Sequence, residues 1–288
     1  MTRNNNLSHR RNASLTFDIE DYFQVENLRS HFPIDRWEDI TLRLEEPTRK
    51  ILDLLDKYEV KATFFVLGWI AEKIPSLVME ISRRGHEIAS HGFSHRLNND
   101  ASLTHNDLKS DIKASKKTLE EITGKEVIGY RAPSFSISDE VLAILQEVGY
   151  KYDSSLFRFK MNSRYGQLSK TTLRGLNETS FIKEFEIPTA QFPGLSVPFA
   201  GGAYFRILPL WMVKLAVLTA TKTASDAVVF YFHPWEFDPM QPKVKNLPIN
   251  RSIRHYWGLK RNLKRLEEIT LFLKRHDFTI RPLHTFCG

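Results

Sequence analysis

"HEIASHGFSH", His86–His95, runs a short apolar stretch into a loop that carries two histidines, His91 and His95, four residues apart around a glycine and a serine. By itself the histidine pair reads equally well as two loop side chains in solvent or as two ligands of one ion. What precedes it decides the fold: an apolar run of strand length that ends in chemistry-bearing residues is the pattern of a parallel strand delivering its C-terminal loop to a working face.

The flanking sequence repeats that pattern. Upstream, a helix opens at Pro75 and stops at Gly85, the usual placement of proline at the start and glycine at the end. Before it stand the β-branched and aromatic run "KATFFVLG", a helix-spaced segment over Glu46–Tyr58 and the short strand "SLTFDIE". Downstream, a helix runs from about Thr104 to Gly124, "EVIGYRAPS" reads as a strand, Ser138 caps a helix that ends at Gly149, and "YKYDSS" is a strand again. Such alternation predicts an α/β fold of parallel strands with helical crossovers, closed as a single barrel-like domain. Residues 1–13 read as a flexible tail, 14–288 as the domain, and 157–199 as an irregular insertion with small strands of its own. "GGAYFRILP", a helix over 208–220, the strand "AVVFYF", a last helix and "FTIRPL" complete the chain.

At 288 residues, 42% hydrophobic and 26% charged, the composition is that of an ordinary globular protein with a large core. The longest apolar window, Leu208–Ala220, is too short to span a bilayer, carries Lys214, and reads as a core helix. A single cysteine, Cys287, excludes an intramolecular disulfide and a cysteine metal cluster. With this lone cysteine and no apolar segment behind the basic N-terminus, a cytoplasmic setting is expected. The net charge of +7 is concentrated in 243–281, which holds eleven Lys/Arg against three Asp/Glu. No nucleic-acid motif accompanies it; the segment is either a solvated helix face or a site of peripheral contact with an anionic membrane surface.

Separate strands end in reactive side chains: Asp18, Glu20 and Asp21; His91 and His95; Arg131; Asp153; His233. In a β/α barrel those ends meet on one face. An acidic residue joining the two histidines makes a three-ligand site with an open position, as a catalytic zinc requires.

The stretches "TFDIED", "HGFSH", "YRAPSF", "YDSS" and "FYFHPWEF" resemble the successive motifs of the NodB-type polysaccharide deacetylases, carbohydrate esterase family 4, over about Leu15–Cys287. "DIEDYFQV", "GGAYFR" and "FHPWEFDP" further resemble the branch associated with exosortase and exopolysaccharide systems. The resemblance implies a deformed (β/α) barrel and hydrolysis of the N-acetyl group of an N-acetylhexosamine in a polysaccharide or its precursor. It also implies one divalent ion, most often Zn2+, held by Asp21, His91 and His95. Asp18 would then be the general base, oriented by Arg131, and His233 the general acid, with Asp153 on its second nitrogen. A backbone N–H near Ser134 would stabilise the oxyanion, and Tyr204, Arg206 and Trp235 would meet the sugar. Where the family usually has adjacent aspartates, this chain has "DIED", so the metal carboxylate is Asp21 or Glu20. Strand alternation puts Asp18 and Glu20 on one side and a bulge is needed to bring in Asp21, which is nonetheless the expected ligand. The other readings are a hydrolase of small cyclic or linear amides, as in the allantoinase/imidase-like branch, and a carbohydrate-binding protein without turnover.

Overall fold

The computed structural model describes residues 11–157, 165–176, 182–192, 195–221 and 226–287. Its elements, in chain order, are β1 (Arg11–Ile19), α1 (Glu45–Lys57), β2 (Thr63–Val66), α2 (Gly68–Lys73), α3 (Pro75–Arg83), β3 (Glu87–Ser90), α4 (His105–Thr123), β4 (Gly129–Tyr130), α5 (Asp139–Val148) and β5 (Tyr152–Asp153). There follow α6 (Lys170–Gly175), β6 (Lys183–Glu184), β7 (Thr189–Phe192), β8 (Leu195–Pro198), α7 (Gly202–Ile207), α8 (Leu210–Ala220), β9 (Val228–Phe232), α9 (Ile249–Tyr256), α10 (Leu259–Arg275) and β10 (Phe278–Ile280).

The α/β expectation holds. β1 to β6 pair in sequence order, β9 pairs with β1, and every pairing in this sheet is parallel. β10 adds to the first three residues of β1. Curled on itself, the sheet forms the parallel half-barrel of the NodB type. The tail expected over 1–13 gives up Arg11, Asn12 and Ala13 to β1, where they pair with Phe278, Thr279 and Ile280; residues 1–10 lie outside the described residues. The stretch expected as an insertion is only partly separate. Lys183 and Glu184 join the main sheet beside β5, whereas β7 and β8 form an antiparallel hairpin of their own; 158–164, 177–181 and 193–194 lie outside the described residues.

Alternation along the strands divides the molecule into two layers. Ala13, Leu15, Phe17 and Ile19 of β1 pack with Phe64 and Val66, with Phe230 and Phe232, and with the apolar faces of the helices. The intervening positions face the barrel interior, where Phe65, Ala89, Tyr152, Val229 and Tyr231 form a second core. The helices are stopped as their sequences dictate: Thr104 and Asp107 close a capping box on α4, Gly124 ends it at φ 66°, and Ser138 and Gly149 bracket α5.

Two glycines fit where a side chain could not. A Cβ at Gly201 would stand 2.0 Å from the Tyr231 carbonyl oxygen, and one at Gly166 would stand 1.8 Å from that of Ile137. Gly201 thereby bridges to Tyr231 and brings the start of α7 against β9. No helix among the described residues is long and apolar enough to cross a membrane. The core helix expected over Leu208–Ala220 is α8, Leu210–Ala220, and it is buried only through Val213, Ala216, Val217 and Ala220; Trp211 and Leu215 are exposed.

Candidate metal centre

The inward-facing positions converge at the C-terminal ends of the strands. Asp18 and Glu20 come from the end of β1, His91 from β3, Arg131 from β4 and His233 from β9. The loop after His91 is shaped by Asp111 of α4, which accepts from the backbone N–H groups of Phe93 (2.7 Å) and Ser94 (3.0 Å). His95 then sits at φ 53°, a left-handed conformation held by Arg29, whose guanidinium donates to the His95 carbonyl at 2.7 Å and meets its Nδ1 at 2.9 Å. Neither Asp111 nor Arg29 stands near the histidines in sequence.

Glu20, His91 and His95, all buried, each bring a ligand atom within 4.8 Å of the other two. Glu20 Oε2 lies 2.5 Å from His95 Nε2, both groups buried. His91 Nδ1 meets the Arg131 carbonyl at 2.8 Å, so this nitrogen carries the hydrogen and Nε2 keeps its lone pair. A buried carboxylate oxygen whose neighbours are two imidazoles, one of them locked in the ligating tautomer, fits a divalent cation with two nitrogen ligands and one oxygen ligand. Burial pushes the His91 imidazole down to about 4, which keeps it neutral and able to ligate. Burial alone would raise the Glu20 carboxyl, but His95, His233 and His91 outweigh it and hold the group far below the usual carboxylate range.

Asp21, the expected ligand, is not in this cluster. It lies two residues past the end of β1, and its carboxylate accepts from the N–H groups of Tyr22 (2.7 Å), Arg43 (2.5 Å) and Leu44 (3.0 Å), tying that end to the start of α1. Burial pushes its pKa up to about 6 against those three donors. The Glu20 N–H turns back onto the Asp18 carbonyl at 3.0 Å just past the end of β1, and this turn leaves Glu20, not Asp21, with the two histidines.

Asp18 and Arg131 are paired as expected, at 2.7 Å. The guanidinium is fully buried, donates also to Thr16 Oγ1 and to the carbonyl and hydroxyl of Ser154, and lies 4.1 Å over the Phe65 ring. His233 Nε2 stands 3.7 Å from Asp18 Oδ2 and 3.6 Å from Glu20 Oε1. Burial disfavours its charged form, but Glu20, Glu236 and Asp18 prevail and push it up to about 9.

The second nitrogen of His233 faces Glu236 Oε2 at 3.4 Å, not Asp153. Strand parity gives the reason. Asp153 pairs in register with Tyr130, which belongs to the helix-side core, so its carboxylate points away from the barrel interior. There it bonds Ser155 and abuts Glu184, while Ser154 takes the inward place against Arg131. Glu236, three residues after His233 on a single 3-10 turn, had not been anticipated.

A cleft opens above Glu20 and His233, walled by Ser134, Phe135, Gly202, Trp235 and Arg254. Ser134 and Phe135 are both left-handed there, at φ 51° and 60°. Arg206 also reaches the wall but is not on the rim. Its guanidinium is buried and used up by Glu236 (3.0 Å) and the carbonyls of Arg254, His255 and Trp257. Trp235 is packed: it stacks on His255 and His233 and donates Nε1–H to Glu20 Oε1 at 3.2 Å. Tyr204 is half-buried on α7 with Arg254 over its ring.

Comparison with known proteins matches residues 8–152 to the family model described as polysaccharide deacetylase, and 154–282 to a domain of unknown function, DUF3473. A peptidoglycan-N-acetylglucosamine deacetylase of Bacillus cereus is 40% identical over 152 residues, which cover 52% of this chain and 43% of that protein. The chain spans less than half the length of the first curated relatives that it matches. Among solved structures, a putative polysaccharide deacetylase from Mycobacterium smegmatis superposes with a TM-score of 0.60 at 21% identity, over 96% of this chain and 89% of that one. A CE4 family pseudoenzyme from Bacillus anthracis superposes at 0.56 and 14% identity, over 97% and 66%. The likeness of fold is thus shared with a protein described as a pseudoenzyme, and the chemistry has to be argued from the side chains.

Proposed function

Because the chain belongs to the polysaccharide deacetylase family, whose model spans half of it, we propose that it is a metal-dependent hydrolase that removes the acetyl group from an N-acetylhexosamine unit of a polysaccharide or its precursor. The observation that carries this reading is the buried trio Glu20, His91 and His95, flanked on one side by the Asp18–Arg131 pair and on the other by His233.

Glu20, His91 and His95 would hold a divalent ion, Zn2+ by their two-nitrogen, one-oxygen donor set, which would polarise the acetyl carbonyl and acidify water. Asp18, oriented by Arg131, accepts the proton of the attacking water. The water oxygen bonds to the carbonyl carbon, and a backbone N–H near Ser134, on the cleft wall, serves the developing oxyanion; those of Phe135 and Ser136 are taken by the carbonyls of Ala132 and Pro133. His233, raised to about 9 by its carboxylate neighbours, holds a proton at neutral pH and gives it to the amide nitrogen as the carbon–nitrogen bond breaks. Acetate and a free amino sugar result. Glu236 supports His233 in this reading, and Arg206 holds Glu236.

The "DIEDYFQV", "GGAYFR" and "FHPWEFDP" stretches support the exopolysaccharide-associated branch. In the cytoplasmic setting expected from the lone cysteine, the substrate is a lipid-linked precursor, reached at an anionic membrane surface. The test is acetate release from an N-acetylglucosamine oligomer and from a lipid-linked N-acetylhexosamine, with metal-loaded protein, chelated protein and His91→Ala. Acetate that appears with metal and vanishes in both controls supports the reading. Metal-loaded protein that releases none points to the small-amide hydrolase instead.

A further inference from the structure

Among the described residues, the large apolar side chains that stand well exposed are Ile207, Trp211, Leu215, Met240, Ile249, Ile253 and Trp257. They fall in two stretches, 187–225 and 239–266, and neither stretch contains a single Asp or Glu. The second holds eight Lys/Arg, of which Lys243, Lys245, Arg251, Lys260, Arg261 and Lys264 are exposed. A solvated basic face ordinarily interleaves acids with its cations, as the outer face of α1 does. Here cations are interleaved with tryptophan and isoleucine instead.

The exposed side chains lie on elements fastened to one another. Ile249 and Ile253 stand four residues apart on α9 with Trp257 just past its end, and Trp211 and Leu215 four apart on α8. Arg206 clamps α7, with Ile207 next to it, to the carbonyls of Arg254, His255 and Trp257. Arg265 binds the carbonyls of Phe205 (2.5 Å) and Leu208 (2.7 Å), which fixes the junction of α7 and α8. The loop that carries Met240 is tied down by Gln241, whose side chain meets His255 Nε2 at 2.7 Å. Gly202, Ala203 and Arg254 of the same two helices, α7 and α9, line the cleft over His233.

We propose that the outer faces of α7, α8 and α9, with the Met240 loop, dock the protein on an anionic phospholipid bilayer. Tryptophan and aliphatic side chains at this level of exposure suit the headgroup–acyl boundary, and the exposed cations of the acid-free stretch 239–266 complement its charge. Two of these elements, α7 and α9, also wall the cleft, so that a lipid-linked sugar anchored in the bilayer meets it without leaving the membrane. Only this last clause rests on the deacetylase reading; the docking itself is independent of it.

Flotation of the full chain with vesicles of phosphatidylcholine, with and without phosphatidylglycerol, tests the proposal. Binding is expected to the anionic vesicles and to fall with added salt. Arg251→Gln and Lys260→Gln should each weaken it by about fivefold, and Trp211→Ser with Trp257→Ser by at least about tenfold. All of these residues are exposed, so melting midpoints and acetate release from a soluble oligomer should stay as in the parent, which separates a failure of docking from a failure of the deacetylase reading. Absence of flotation with the anionic vesicles overturns the proposal. So does binding that needs the cations but is indifferent to the tryptophans, because any polyanion would produce it. A dimer in solution that both tryptophan substitutions dissociate, with no vesicle binding, also overturns it.

Discussion

At the scale of single residues, one rule accounts for where the site matched its sequence and where it did not: in a parallel strand, every second side chain faces the barrel interior. It brings Asp18 inward, and the turn that ends β1 adds Glu20 beside it while Asp21 goes to the start of α1. It also turns Asp153 away from His233, because Asp153 shares its face with Tyr130. Glu20→Gln is therefore expected to cost the bound metal and all turnover, whereas Asp21→Asn keeps the metal and loses stability; metal content after dialysis distinguishes the two. His233→Gln should retain the metal and lower kcat by roughly 10²- to 10⁴-fold, the range for a lost general acid. "DIED" and "HPWE" carried both corrections in the sequence: Glu20 by its place two residues after Asp18, and Glu236 by its place one turn after His233. Asp111 and Arg29 left no such trace, since only the folded chain brings them to the histidine loop.

Elements were legible where a local signal bounds them. Proline and glycine bracketed α3, the Thr104 capping box opened α4 and Ser138 opened α5. β6 was not legible. Two residues are too few for a period, and their place beside β5 is set by long-range pairing. α8 misled by composition, because its apolar residues run right round the helix and its exposed side is apolar as well. The contact between Gly201 and Tyr231 joins α7 to the strand that delivers His233. Gly201→Ala must displace the Tyr231 backbone, and is expected to destabilise the protein by about 1–3 kcal/mol. A denaturant midpoint measures this, and kcat should fall with it, since the shift reaches His233 two residues on.

Over the whole molecule, the barrel holds buried carboxyl groups that its stability must answer for. Burial raises the Asp153 carboxyl, and burial together with Asp153 raises that of Glu184 well above the ordinary value. Glu184 Oε2 has no donor among the described residues, which suits a carboxyl that keeps its own proton beside Asp153. A carboxyl with a raised folded pKa contributes stability that is complete below the unfolded pKa and is lost as pH rises through the folded one. Glu184→Gln should therefore raise the thermal midpoint at mildly alkaline pH and give no gain in acid, as a pH series of melting curves would record. An equal gain at every pH would mean that the pair carries no shared proton.

The sequence by itself determined the α/β class, the order of strands and helices, and the identity of most reactive side chains. These depend on periods, caps and strand-end positions that span a few residues. Tertiary structure decided which of those side chains meet: Glu20 with the two histidines, Glu236 with His233, Arg29 under His95, and an exposed apolar surface on helices that also wall the cleft. Its physical cause is the register of parallel strands and the packing of distant helices, which fix the direction of each side chain only when the partners are in place.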